Sequence, residues 1–203
     1  MMETFTNPHF PRNLSVAHVA LFAPVNNAKD LRSRIIKAAT LDGDEGEQER
    51  QAVNFAFIDA RLITSRLHLQ TAIYQAVMAE AQGALRTKKV HSEIVWILNP
   101  TNNITEALRR YGVSDTTRSL LVVRIDGPDL PAERAKKDMD AIISGETVPL
   151  DKLQDITEWN TVKKHYKLGQ DTAILEAKGD SAREKVLINE IVISSVASKS
   201  IAS

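Results

Sequence analysis

The sequence predicts an α/β (α+β) fold in which helices pack around a mixed sheet of about four to five strands and the C-terminal third is helical. Three observations lead there. Short runs rich in β-branched residues alternate with helically spaced apolar stripes between positions 16 and 125. Beyond Pro131 only the helical period persists. The composition, 43% hydrophobic and 26% charged over 203 residues, is that of a chain able to bury one core, so a single domain over residues 1–203 is expected.

Val16 to Phe22 reads as the first strand, closed by Pro24. Asn26 and Asn27 offer a helix cap, and Ala28, Leu31, Ile35, Ala38 and Ala39 follow at helical spacing. Leu41 to Gln51 carries five acidic residues and two glycines and is expected to be a surface loop. Val53 to Ile58 is the second strand. Leu69, Ala72, Ile73, Ala76 and Val77 mark a longer helix. After a basic turn, Ile94 to Leu98 has no polar interruption and is expected to be a strand buried on both faces. Pro100 ends it. A short helix from Ile104 to Tyr111, a strand from Leu120 to Ile125 and a turn at Gly127 and Pro128 complete the alternating part. Helices are expected over Ala132 to Ser144, Thr157 to His165 and Arg183 to Ala197, and a flexible N-terminus over 1–14.

Charge and motifs narrow the function. Twenty-six basic residues balance twenty-six acidic ones, so no overall field draws the chain to nucleic acid or a membrane surface. The absence of cysteine removes disulfides, thiolate metal sites and a cysteine nucleophile, and fits a reducing compartment. No apolar run approaches the roughly 20 residues a membrane span needs. The eight glycines form neither GxGxxG nor GxxxxGK[ST], and no GxSxG nucleophile elbow occurs. The five histidines never fall at the i, i+3 or i, i+4 spacing that points two imidazoles at one metal. Asp42, Asp44 and Gly46 lack the register of a calcium loop. No catalytic residue, metal or cofactor is expected.

The best-formed local feature is the helix after Pro100. Asn103 can cap it while Glu106 completes a capping box, and Gly112 is placed to end it in the left-handed conformation with Val113 packing alongside. Ile104, Ala107, Leu108 and Tyr111 form one stripe, read as cover for the sheet or as a partner-binding face. Arg86, Lys88, Lys89 and His91 form a basic patch without acidic residues or interleaved aromatics, so an RNA role would rest on phosphate contacts alone. An acid–base pair assembled from distant residues, such as His68 with Glu93, is the enzymatic alternative.

FAFIDARLITSRLHLQTAIYQA (Phe55 to Ala76), HSEIVWILNPTNNITEALRRYGV (His91 to Val113) and SLLVVRI (Ser119 to Ile125), in that order and spacing, resemble the PRPK-binding protein family. This is the small kinase-binding subunit of the EKC/KEOPS complex, and the form is similar to fungal members. The resemblance implies a non-catalytic subunit without cofactor that binds directly to the complex's atypical protein kinase and regulates its ATPase. The other KEOPS subunits would be met indirectly. It further implies support of tRNA threonylcarbamoyladenosine modification, telomere and transcription roles, and residence in nucleus and cytoplasm. By position it makes Asn102, Asn103, Ile104, Leu108, Tyr111 and Gly112 the expected kinase contacts; since one stripe cannot be wholly core and wholly interface, the helix ends and part of its flank are expected to touch the partner while Ala107 stays buried. The nearly all-round apolar C-terminal segment adds Ile188, Ile191 and Val192, because such a helix needs burial on more than one side. Arg86, Lys88 and Lys89 are the expected tRNA contacts. A stand-alone tRNA-binding module built on the local basic patches is the alternative function.

Overall fold

The computed structural model describes residues 1–199; the end of the expected 1–203 domain lies outside them. The described elements are β1 (Met2–Thr6), β2 (Val16–Val25), α1 (Ala28–Thr40), α2 (Gly43–Ala52), β3 (Ala56–Asp59), α3 (Arg66–Ala81), α4 (Val90–Leu98), α5 (Ile104–Tyr111), β4 (Leu120–Asp126), α6 (Ala132–Asp140), β5 (Gly145–Val148), α7 (Leu153–Ile156), α8 (Trp159–His165), α9 (Thr172–Glu176) and α10 (Ser181–Ser198). This is the α+β fold with a helical C-terminal region that the alternation predicts.

The sheet runs β1-β2-β4-β3, with β5 also paired to β2. Every pairing is antiparallel, whereas a mixed sheet is expected from the alternation of strands and helices. The difference lies in α4: with no strand between 94 and 98, the connection from β3 to β4 returns antiparallel beside it.

Period-two alternation splits the sheet into two apolar faces. Val19, Leu21, Ile58, Leu121, Val123 and Ile125 enter the larger core with α3, α4, α5 and α10. Ala20, Phe22, Phe57, Leu120 and Val122 meet Ala28 and Leu31 of α1 and Met139 of α6 on the other side. The strands therefore sit between two helical layers.

Four local expectations are corrected. Ile94 to Leu98 is helical, part of α4, and is buried all round between α3, α5 and β3. A continuous apolar run has the same appearance in a buried helix as in a central strand, because periodicity vanishes when every side is covered. The acidic stretch is not a loop: α2 packs on α1, where Arg34 pairs with Glu49 at 2.8 Å and Arg50 donates to the Leu41 carbonyl at 2.7 Å. Gly46 allows that approach, since a Cβ there would stand 2.0 Å from the Leu41 oxygen. The N-terminus is not wholly flexible, because β1 pairs with β2 from Met2↔Ala20 to Thr6↔Val16. The helix expected to reach Ser144 ends at Asp140, and residues after it form β5.

A candidate docking face on α5

The short helix α5 is held by a dense loop before it. Asn103 accepts the Glu106 N–H at 2.9 Å, the N-cap bond that satisfies one of the helix's orphan donors. Glu106 does not reach back to complete the expected capping box. Its carboxylate instead takes the Thr101 hydroxyl at 2.5 Å and Arg110 at 2.6 Å. Thr101 first, then Arg110, hold that carboxyl below its usual range. Asn99 donates to the Thr101 hydroxyl at 2.8 Å, and the Trp96 indole donates to the Asn102 carbonyl at 3.3 Å.

Lys199, from beyond the end of α10, closes the same loop. Its ammonium lies 4.0 Å from the centre of the Trp96 ring and donates to the carbonyls of Trp96 at 2.6 Å, of Thr101 at 3.0 Å, and of Asn99. These carbonyls lie at and beyond the C-terminal end of α4, where a cation complements the helix dipole. The C-terminal helix thus fixes the entry to α5.

The stripe on α5 divides into two faces. Ala107 and Tyr111 are fully buried, while Ile104 is 40% and Leu108 50% exposed. Asn102 and Asn103 are exposed at the helix start. Gly112 ends the helix with φ −74 and ψ 169, an extended conformation in place of the left-handed one expected. Glycine is needed there for space: a Cβ would lie 2.4 Å from the Leu108 carbonyl oxygen. Val113 packs against the smaller core.

Beside Leu108 runs a groove of about 680 Å³ between α5 and α1, lined by Ile35, Ile36, Phe57, His91, Leu108 and Gly112 among others. Its volume is that of ordinary ligand clefts. Ile36 faces it from the α1 side at 52% exposure. Arg32 and Asp115, both lining residues, form an ion pair at 3.1 Å. Arg109 has no ion pair among the described residues and is exposed.

Several expected site residues stand elsewhere. Tyr111, Ile188 and Val192 are buried in the chain's own core, not on an exposed docking face as expected. The all-round apolar character of α10 is met internally instead: the helix packs along α3, with Ile191 half-buried on the same core. Arg86, Lys88 and Lys89 are exposed on the loop between α3 and α4. Lys89 is the N-cap of α4, so this run faces the positive end of a helix dipole as well as the negative end of α3. Buried Glu93 balances it by accepting the backbone N–H groups of Arg86 and Thr87 at 3.1 and 2.8 Å.

His68 and Glu93 are not an acid–base pair. His68 accepts the Thr64 N–H at its Nδ1 at 3.2 Å, and burial pushes it down to about 3. No hydrogen bond or ion pair joins it to Glu93. No group of three or more His, Asp or Glu able to hold a metal occurs among the described residues.

His91, expected in the surface basic patch, is instead buried and accepts the Ile125 N–H, and Ile36 was not legible as a site residue. Ile36 did carry a signal: it follows Ile35 directly, so it falls off the apolar stripe of α1 and must face outward.

The model of the kinase binding protein CGI-121 family matches residues 22–200, which takes in the whole groove. The chain belongs to this family. Relatives named EKC/KEOPS complex subunit CGI121 include one from Cryptococcus neoformans, 32% identical over 96% of this chain and 100% of the relative. A second, from Neurospora crassa, is 35% identical over 97% of each chain. A third, from Aspergillus fumigatus, is 36% identical over 83% of this chain and 84% of its own. In this CGI-121 family member, α5 and its groove are where exposed apolar side chains and an open cleft coincide.

Proposed function

We propose that this chain is the non-catalytic subunit of an EKC/KEOPS complex that binds and regulates the complex's atypical protein kinase, with α5 and its groove as the docking face. The observation that carries this is the pair Ile104 and Leu108, exposed one turn apart on a helix fixed at its start by Asn103 and Lys199. Aliphatic anchors held on a rigid element beside a pocket are one of the parts from which binding interfaces are built. The family's description as kinase-binding and the relatives' names as complex subunits support the choice of partner. Within such a complex the chain would act in tRNA threonylcarbamoyladenosine modification, in telomere and transcription roles, and in both nucleus and cytoplasm.

Titration calorimetry against the KEOPS-type kinase of the same organism, with ATP hydrolysis followed in parallel, tests this. Sub-micromolar 1:1 binding, about 8 kcal/mol or better, weakened by Leu108→Glu, is expected. A folded protein that gives no heat and leaves the ATPase unchanged would sink the reading.

A second reading, direct tRNA contact, has one observation in its favour: Lys88 and Lys89 are exposed and make no ion pair among the described residues. It predicts tRNA affinity that falls steeply with salt, without the kinase present.

A further inference from the structure

The open side of α5 is set from its other side. Glu106 and Arg110 pair one turn apart at 2.6 Å, just as Ile104 and Leu108 stand one turn apart. The two pairs are offset by two residues, about 200° round a helix, so what ties Glu106 and Arg110 to the loop turns Ile104 and Leu108 away from it. The tie is a closed set of bonds. Glu106 takes the Thr101 hydroxyl at 2.5 Å, Arg110 donates to the Asn99 amide oxygen at 3.4 Å, and Asn99 donates to the Thr101 hydroxyl at 2.8 Å. Asn99 itself is fully buried.

This loop is held in turn by the far end of the chain. Lys199 is the C-cap of α10 and only 7% exposed, and its ammonium donates to the carbonyls of Trp96, Asn99 and Thr101. A path of hydrogen bonds and one ion pair therefore runs from Lys199 through Asn99 and Thr101 to Glu106 and Arg110. The turn that carries Lys199 is lightly held: the Lys199 N–H reaches the Val196 carbonyl at 3.4 Å, Gln75 of α3 donates to the Ala197 carbonyl at 3.0 Å, and Ala197 and Ser198 are exposed. Helix ends of this kind open locally at low cost. Opening this one withdraws the ammonium from the loop.

We propose that the last turn of α10 is a control point for kinase docking: with Lys199 seated, α5 is locked in the rotation that presents Ile104 and Leu108, and seating and docking stabilise each other. The inference rests on the kinase-docking reading and adds to it a second element, coupled to the docking face through the loop. Such coupling is reciprocal: if Lys199 strengthens kinase binding, kinase binding must hold Lys199 more firmly in place.

Two measurements on the full chain with the KEOPS-type kinase of the same organism test this. In calorimetry, Lys199→Met should weaken binding about tenfold, and Lys199→Arg, which keeps a cation and donors, should recover most of the loss. Amide exchange by NMR needs no substitution: the Val196 and Lys199 amides should exchange about threefold or more slowly in the complex than in the free chain. Affinity unchanged in a folded Lys199→Met overturns the coupling and leaves the docking reading standing. Exchange at Val196 and Lys199 unaltered by the kinase, in a complex that does form, also overturns it and reduces Lys199 to a cap on α4. No complex with the parent chain overturns the docking reading and the coupling together.

Discussion

His91 Nε2 accepts the backbone N–H of Ile125 at 3.0 Å, so a side chain from α4 takes the place of a missing strand partner on β4. Replacing it should be costly. His91→Ala leaves a buried N–H unsatisfied and a void beside β3, and should lower the unfolding free energy by about 2–3 kcal/mol in urea titrations.

The same bond requires a neutral ring. Burial first, then the charges of Arg124 and Lys89, push His91 down to about 3, and burial does the same to His68. Each histidine protonates near 6.5 when unfolded, so between about 6.5 and 3 the unfolded chain binds more protons. Their contribution to stability is fully present above about pH 6.5 and is lost as pH falls toward the folded value. Urea unfolding from pH 8 to pH 4 should show a decline beginning near 6.5, each histidine adding up to about 1.4 kcal/mol per pH unit.

Gly112→Ala should destabilise although its backbone dihedrals suit any residue. The new Cβ would meet the Leu108 carbonyl oxygen at 2.4 Å, and relief requires the end of α5 to shift. A loss of about 1–3 kcal/mol is expected, measured by thermal or urea unfolding, with weaker kinase binding because Leu108 moves with that turn.

Lys199→Met keeps the apolar stem and removes the ammonium that binds the Trp96, Asn99 and Thr101 carbonyls. Hydrogen bonds to a charged group contribute about 1.5–3 kcal/mol, so a loss of this order is expected in unfolding. Amides at the start of α5, Glu106 among them, should exchange faster.

Leu108→Glu and Ile188→Glu should separate surface from core. Leu108 is half exposed, so its variant should unfold within about 0.5 kcal/mol of the parent. Ile188 is buried in the core beneath α10, and a carboxylate there should cost more than about 3 kcal/mol or prevent folding. Urea unfolding of the two variants side by side distinguishes them.

Much of the fold was legible where an element carries its own residue-type or capping signal. β2 and β4 are covered on both faces, yet their runs rich in β-branched residues give bounds close to the observed ones, and α5 is marked by its cap and apolar stripe. The failures fall where such signals are missing or where the pattern is polar throughout. α4 is buried on all sides, so its period is silent. α2 buries only Gly46; its stability comes from Arg34 and Arg50 contacts with partners outside any local window. At the site, Asn103 was readable as a cap and Ala107 as buried, while the place of Tyr111 on the buried side and of Ile104 and Leu108 on the open side was not.

From the sequence by itself came the α+β class, the helix at 104–111 with its N-cap, and the family, because these depend on residue order and spacing alone. Tertiary structure decided that Ile188 and Val192 are core, that His91 completes a strand edge, and that Ile36 and Leu108 face one groove. Periodicity records which residues avoid water; which neighbour covers each of them, and which stay uncovered, is set only when distant segments pack.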